Sequence, residues 1–179
     1  TLGDAMAAAA RLLKLAEADA AAITEQLDAR EREDAMRSLG IAAGAAIPPQ
    51  MRSQMRALEE DQKRRAKRSL IDGIDRIFTD MLSLYRDVLL TAICAEDDAG
   101  SAPAQTAPAS VQLVNVERAD RIRELAERWS AERALAAVTA IETARRRLLR
   151  AITPGLVLEA LLASIATGIG VDEDVRSRA

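Results

Sequence analysis

Few residues of this chain have the types and spacing that enzyme chemistry requires. Histidine is absent from all 179 residues, which removes the commonest general base and the usual base of a catalytic triad. Two groups of neighbouring carboxylates remain, Asp97 with Asp98, and Asp172 with Glu173 and Asp174. Both groups lie in predicted loops, where carboxylates usually face solvent. We therefore predict no catalytic residue and no metal site.

The other reactive side chains point the same way. No base of a suitable kind is near Tyr85 in the sequence, so we interpret its ring as a core or interface aromatic. Cys94 is the only cysteine, which excludes an internal disulfide and a thiolate-rich metal site within this chain and predicts a cytoplasmic setting. No glycine cluster is followed by Gly-Lys-Ser/Thr, so no nucleotide-phosphate loop is predicted. We also predict no cofactor and no small-molecule substrate.

Composition favours helix over strand. Hydrophobic residues make up 49% of the chain, much of it alanine, and there is one Trp, one Tyr and one Phe. Alanine is the best helix former, while aromatic residues are what strand pairing and base stacking require. The net charge of -3 gives no overall attraction for a polyanion, so any nucleic-acid contact would have to rest on a local patch, and a free-standing DNA reader is not expected.

The clearest element is a helix through residues 70–92. Its apolar residues recur at alternating steps of three and four, which places them on one helical face. They are Ile71, Ile74, Phe78, Met81, Tyr85, Val88 and Ala92, widened by Leu70, Ile77 and Leu84 on one side and by Leu82 and Leu89 on the other. A stripe this broad predicts a central helix with several neighbours. The remaining narrow face is predicted to be an exposed polar strip of Asp72, Asp80, Arg86 and Asp87.

The rest of the chain divides into further helices and connections. We predict an all-α fold, one helical domain over residues 1–179 with about five to six helices and one long central helix. Its parts are N-terminal helices and a linker (1–47), the central helix (48–96), whose polar first half we expect to project from the core, a mobile loop (97–114), three C-terminal helices (115–170) and a tail (171–179). The N-terminal residues show no signal-peptide pattern. Because the first residue is Thr1 rather than methionine, we expect the chain to be part of a longer protein.

Local signals predict where these helices begin and end. Gly40 is suited to a left-handed C-terminal position, and Pro48 with Pro49 to the first turn of the central helix. Asn115 and Ser130 are predicted N-caps. The predicted buried stripes are Ala5, Ala9, Leu12, Ala16, Ala20, Ile23 and Leu27 in the first helix; Ala134, Ala137, Ile141, Ala144, Leu148 and Ile152 in the fourth; and Leu158, Leu161, Leu162 and Ile165 in the last, which Thr153 and Pro154 begin.

Two clusters of basic residues and one long apolar segment could each have a function of their own. The basic run is Lys63, Arg64, Arg65, Lys67 and Arg68. It forms a possible phosphate-binding patch, but Glu59, Glu60 and Asp61 each precede a base of this run by four residues, so ion pairs on an exposed helix explain it better. The cluster Arg145, Arg146, Arg147 and Arg150 suits a helix C-terminus. The apolar segment 151–171 contains Pro154, Gly155 and Glu159, so we predict a core helix and no membrane span.

Three stretches of the chain together resemble a known family. The first is the string from Asp75 to Leu89 (DRIFTDMLSLYRDVL) with the charged lead from Leu58 to Arg68. The others are Leu113 to Asn115 with the segment from Arg145 to Leu149, and the string from Pro154 to Leu162 (PGLVLEALL). These stretches resemble, in order, the C-terminal domain of the delta-prime subunit of bacterial DNA polymerase III, especially its actinobacterial form.

The resemblance implies a helical collar domain, through which five clamp-loader subunits assemble into a ring while the sliding clamp is loaded during DNA replication. It implies gamma/tau-type and delta-type subunits as partners, indirect contact with DNA, no membrane, no cofactor, and no activity for this part of a DNA-directed DNA polymerase assembly. As subunit-interface residues we predict Tyr85, Arg86, Asp87 and Asp80, because they lie on or beside the polar strip.

Two other classes remain open at this point. A ligand-binding or dimerisation domain of a transcription regulator also joins alanine-rich helices into a bundle, although no helix-turn-helix reader is visible. An enzyme built on a helical bundle would need a metal-binding aspartate motif such as DDxxD. Only the pair Asp97 and Asp98 is similar to part of that motif.

Overall fold

In the computed structural model, which describes residues 1–41, 46–100, 112–150 and 152–168, the chain is helical. The α-helices of these ranges are α1 (Leu2–Ser38), α2 (Arg52–Gly100), α3 (Ala119–Arg128), α4 (Ala131–Leu149) and α5 (Pro154–Thr167), with short 3₁₀ turns at Pro49–Met51 and Val116–Arg118. No strand occurs in the described ranges. The predicted all-α fold is confirmed.

α1 is one continuous helix from Leu2 to Ser38 rather than the N-terminal helices predicted over 1–47, and it ends before a left-handed glycine, as predicted. Gly40 has a φ of +68°, a conformation that glycine adopts without the steric cost other residues have. Its N–H donates to the carbonyl of Arg37 at 3.1 Å, and the N–H of Ile41 donates to the carbonyl of Met36 at 2.9 Å. This pair of bonds is a Schellman motif, which satisfies the last carbonyls of the helix.

α2 follows the two prolines and is longer than predicted. It begins at Arg52 after the Pro49–Met51 turn and runs to Gly100, so it contains Asp97 and Asp98. Their predicted loop position is wrong. The run of alanine and acidic residues after Cys94 contains no proline before residue 103, so nothing local requires the helix to end at Glu96. Residues 101–111 of the predicted loop and the whole 171–179 tail lie outside the described residues.

The chain forms two compact units. The first contains Thr1–Ala10 and Asp75–Ala179, and the second contains Arg11–Ile74. Each unit therefore includes parts of both α1 and α2. Whether the polar first half of α2 projects from the core stays a prediction.

The first unit is built around α2, α3, α4 and α5. Val88 and Ala92 of α2 cluster with Ile122 and Ala126 of α3 and with Ala134 of α4. Burial of apolar side chains of this kind is the main favourable term in folding. Buried side chains of α4 and α5 include Ala137, Ile141, Ala144, Leu148, Val157, Leu158 and Leu161. The predicted faces of these two helices are thus largely confirmed, but Ile152 lies beyond the end of α4 and is 41% exposed.

In the second unit the buried face of α1 differs from the predicted stripe. Ala16 and Ala20 are buried as expected, but Ile23 and Leu27 are 64% and 47% exposed. Thr24 is buried in their place, and its hydroxyl donates to the carbonyl of Ala20 at 3.1 Å. A threonine that satisfies its hydroxyl within its own helix can be buried at little cost.

Candidate functional site

The side chain of Asp87 is the centre of a buried polar network on α2. It has no exposed surface. Its Oδ1 accepts a hydrogen bond from Arg86 Nη1 at 2.7 Å. Its Oδ2 accepts three, from the backbone N–H of Val114 at 3.0 Å, from the backbone N–H of Asn115 at 2.8 Å and from Asn115 Nδ2 at 2.9 Å. The same Nδ2 donates to Ser83 Oγ at 3.0 Å.

These hydrogen bonds keep Asp87 ionised despite its burial. Burial alone would raise the pKa of the Asp87 carboxyl, but the donors from Asn115, Arg86 and Val114 favour the charged form and together hold this pKa below its ordinary value. A carboxylate that accepts several N–H bonds stays charged for this reason. The carboxylate is therefore a structural anion, because its acceptor sites are directed at groups of this chain.

The network fixes the stretch that leads into α3. Two consecutive backbone N–H groups of residues 114 and 115 are held by one carboxylate of α2, so this irregular stretch is anchored without a helix or a strand. The side chains on either side of Asn115 face outward. Val114 is 64% exposed and Val116 is 68% exposed.

Asn115 does not cap a helix as predicted. It precedes the 3₁₀ turn, but its side chain makes no capping bond there, because its amide is committed to Asp87 and Ser83. Ser130 does act as the predicted cap, since its Oγ accepts from the backbone N–H of Arg133 at 3.2 Å. Glu96 adds a second bond at the start of α4, where its Oε1 accepts from the backbone N–H of Ala131 at 2.9 Å.

The four predicted interface residues are in different environments. Asp80 and Arg86 are exposed and Tyr85 is half-buried. The prediction that Asp87 lies on an exposed polar strip is wrong, because donors from residues 114 and 115 cover its carboxylate. That these four residues form a subunit interface stays a prediction.

Sequence reasoning missed the two exposed valines. Val114 and Val116 lie beside the Asp87 network, since Asn115 between them is bonded to α2. We use the name Asp87 surface for Asp80, Arg86, Val114 and Val116. The Val-Asn-Val sequence itself carries no signal of exposure, because β-branched residues usually pack inward.

Tyr85 belongs to an aromatic stack. Its ring lies 5.6 Å from that of Trp129 at an interplanar angle of 28°, and the Arg133 guanidinium lies 4.4 Å from the centre of the Trp129 ring. Burial raises the pKa of the Tyr85 hydroxyl, and the Arg133 charge offsets this only in part. A neutral phenol in an aromatic and cationic stack has a packing role.

A second polar link joins α2 to α4. Arg145 Nε and Nη2 bond the two carboxylate oxygens of Asp75 at 2.5 and 2.8 Å. This bidentate geometry specifies orientation more strongly than a single contact does. Since Glu96 bonds the start of α4 and Asp75 bonds a residue near its end, α4 runs antiparallel to the second half of α2.

The predicted basic patch is largely neutralised within the second unit. Lys63 pairs with Glu60 at 3.0 Å and Arg64 pairs with Asp61. Arg65 instead reaches α1, where it bonds Asp28 and Glu31, both at 2.8 Å. The predicted i to i+4 pairs are therefore wrong in register. Lys67 and Arg68 are exposed and have no ion pair within the described ranges.

Comparison with known proteins gives one family. Residues 104–167 match the family model described as DNA polymerase III, delta subunit, C terminal. The matched residues include the Asn115 part of the Asp87 network and all of α3, α4 and α5. Searches of curated proteins and of solved structures gave no match. The family match supports a relation to clamp-loader subunits of DNA polymerase III.

Two further properties bear on function. None of the helices described is both long and apolar enough to cross a membrane. Within the described ranges, no group of three or more Cys, Asp or Glu residues is arranged to hold a metal ion.

Proposed function

We propose that this chain is the part of a DNA polymerase III clamp-loader protein through which it associates with its neighbours. The match of residues 104–167 to the C-terminal family of the delta subunit is the observation that carries this proposal. The all-helical structure supports it, since rigid helices with specific exposed side chains are well suited to contacts between subunits. The role we assign is passive, and it requires no catalytic group, cofactor site or metal site from this chain.

The finer assignment is a collar domain of the delta-prime type, acting in the cytoplasm. It rests on the resemblance of the string from Asp75 to Leu89, which lies outside the matched range. In this assignment the partners are gamma/tau-type and delta-type subunits, and DNA is contacted only through the assembly.

We further propose that the Asp87 surface contacts one neighbouring subunit. The Asp87 network holds Val114 and Val116 in fixed positions, so little conformational entropy is lost when a partner covers them. Arg86, which bonds Asp87, supplies a positive charge beside this network, and Asp80 supplies a negative charge about two helical turns earlier on α2. Charges of opposite sign suit a specific contact. Tyr85 and Asp87 support this surface from behind.

A mixing experiment tests the function. The purified chain is combined at micromolar concentration with gamma/tau-type and delta-type subunits, and complexes are separated by size-exclusion chromatography with light scattering. Co-elution supports the proposal, and its absence with both partner types contradicts it. A thermal shift caused by small apolar ligands would favour the transcription-regulator alternative instead.

The contact surface is tested with a paired variant. Val114→Asp with Val116→Asp places two charges at exposed positions, so folding is expected to be kept while partner binding is weakened about 100-fold. Leu135→Glu, at a position 53% exposed on α4, is the matched control. Binding of the valine variant with wild-type affinity would exclude this surface.

A further inference from the structure

Arg133 on α4 carries a charge that no acidic side chain of the described ranges neutralises. Its guanidinium lies 4.4 Å from the centre of the Trp129 ring, and the Trp129 ring in turn stacks on Tyr85. In the described parts of the chain this guanidinium has no ion pair and no hydrogen bond, and Arg133 is exposed. The aromatic stack therefore holds a cation in place without using its N–H groups.

The sequence around Arg133 explains the missing ion pair. On a helix, acids three or four residues away are the usual partners of an arginine, and Arg123 of α3 pairs with Asp120 in this way. The residues at these distances from Arg133 are Trp129, Ser130, Ala136 and Ala137. None of them is acidic, so the N–H groups of the guanidinium remain available to a ligand.

A small recess lies beside the guanidinium, between α4 and α5. Its volume is about 10 Å³ and its exposed lining is apolar, which leaves room for one group the size of a water molecule or a methyl group. The recess is lined by Arg133, Ala136, Ala137, Ser164, Ile165 and Gly168. A Cβ placed on Gly168 would lie 4.0 Å from Arg133 Nε, so small residues keep the space next to the cation open.

We propose that Arg133 and this recess form a binding site for a carboxylate of an acidic peptide segment. A guanidinium presents its N–H groups as a planar fork that matches the two oxygens of a carboxylate, and stacking on Trp129 orients this fork before a ligand binds. An aliphatic group next to the carboxylate covers the recess. The proposal goes beyond the contacts between subunits assigned above and does not depend on them.

A peptide carboxylate suits the site better than nucleic-acid phosphates do. Phosphate binding by a protein usually combines several cations, whereas Arg133 is the only basic residue among those that line the recess. The net charge of -3 also opposes binding of a polyanion.

The carboxylate can come from this chain or from another protein. The chain itself contains Asp172, Glu173 and Asp174 between two valines, beginning four residues after Gly168. Four residues of extended chain span at most about 14 Å. An acidic segment of a partner offers the same chemistry, so the experiment has an arm for each source.

The experiment follows, by NMR of the isotope-labelled full chain, the indole N–H signal of Trp129, the only tryptophan. One sample is wild type, and in the other, the neutralised chain, the candidate ligand is removed by Asp172→Asn, Glu173→Gln and Asp174→Asn. Each is titrated with the capped peptide VDEDV, which has the sequence of residues 171–175, and with the uncharged peptide VNQNV. For the neutralised chain we expect saturable binding of VDEDV with a Kd of about 1 mM, as one charge-assisted contact allows. Binding of VNQNV should be weaker by about tenfold.

Three substitutions in the neutralised chain locate the effect. Arg133→Gln should weaken binding of VDEDV about tenfold, and Ala136→Leu, which fills the recess, about threefold. Arg123→Gln removes an exposed arginine of α3 that already has a partner and should leave the Kd unchanged. Circular dichroism melting shows whether each variant folds as its parent does.

Comparison with the wild-type chain identifies the source, and either result supports the site. If the chain's own carboxylates occupy it, VDEDV binds wild type about fivefold more weakly than it binds the neutralised chain, and the Trp129 signals of the two chains differ before any peptide is added. If the two chains bind VDEDV alike, the ligand is an acidic segment of a partner.

The proposal is overturned if VDEDV causes no saturable change, if VNQNV binds equally well, or if Arg133→Gln leaves the Kd unchanged. It is also overturned if inorganic phosphate binds the neutralised chain more tightly than VDEDV does, because the site would then select phosphate over carboxylate.

Discussion

Two polar networks, one in each compact unit, join distant parts of the chain in different ways. In the first unit Asp87 is fully buried and accepts all its hydrogen bonds from groups of this chain. In the second unit Arg65 bonds Asp28 and Glu31 while keeping 29% of its side chain exposed. In both networks the partners outside α2 are between 27 and 37 residues away in sequence.

Burial determines how much each network contributes. Water screens a partly exposed ion pair and can solvate its members when the pair is broken, so such a pair contributes less than a fully buried one. Water cannot reach a buried carboxylate or the N–H groups that bond it, so breaking their hydrogen bonds leaves these groups unsatisfied. Ion pairs with similar distances therefore differ in how much they contribute to the free energy of unfolding. The substitutions below test this difference.

Asp87→Ala is expected to have the largest effect. It leaves the N–H groups of Val114 and Asn115 without their acceptor, which should lower the free energy of unfolding by about 3 kcal/mol. Urea unfolding followed by the fluorescence of Trp129, the only tryptophan, reports on the first unit. Asp80→Ala, an exposed position on the same helix, should change stability little. If the two variants had equal free energies of unfolding, the structural role of Asp87 would be contradicted.

Acid should remove part of the same stabilisation. The pKa of Asp87 is held below its ordinary value, so the unfolded chain binds more protons than the folded chain near and below that value. The contribution is fully present above about pH 5, which is about one unit above the ordinary pKa of Asp, and is lost as the pH falls through the lower pKa of the folded state. The stability difference between wild type and Asp87→Asn should therefore shrink between about pH 5 and the lowest pH at which the chain stays folded. A constant difference would show that ionisation of Asp87 contributes nothing.

Ser83→Ala should have a smaller effect. It removes one acceptor of Asn115 Nδ2 but leaves the bond from that atom to Asp87 intact. We expect a loss of about 0.5–1 kcal/mol in the free energy of unfolding. If Ser83→Ala were as harmful as Asp87→Ala, the serine hydroxyl and not the carboxylate would be the main support of residues 114 and 115.

Arg65→Met should have the smallest effect at physiological salt. Methionine keeps the apolar stem and removes the charged guanidinium with its hydrogen bonds to Asp28 and Glu31. Because these bonds are partly exposed to water, the melting temperature measured by circular dichroism should fall less than in Ser83→Ala. The difference from wild type should shrink further in about 0.5 M salt, because salt screens partly exposed ion pairs. The effect of Asp87→Ala should persist at the same salt concentration. A salt-independent loss in Arg65→Met would mean that the two networks are alike.

Much of the helical architecture is predictable from local signals. The periodic stripe through Phe78 and Val88, the left-handed Gly40 and the Ser130 cap each follow from the preferences of a few neighbouring residues. Errors arise where local preference is permissive. Helix α2 continues past Asp97 and Asp98 because alanine-rich sequence tolerates extension. On α1 Thr24 is buried and Ile23 is exposed, and the bond of the Thr24 hydroxyl within the helix lowers the cost of burying it.

The candidate site was less predictable. Asp80 and Arg86 are exposed as expected, but Asp87 is buried. Its burial depends on donors 27 and 28 residues away, and no periodicity on α2 carries that information. The same limit applies to Arg65, whose predicted partner on its own helix was replaced by two carboxylates of α1.

Local preferences specify that this protein is helical and where most of its helices begin, because propensity, apolar period and capping act over a few residues. Which charges are buried and which backbone groups are held depends instead on how the helices pack. Asp87 and the Val114 N–H are paired across 27 residues of the chain. The free energy of a charge or an apolar surface depends on these surroundings rather than on the residue alone.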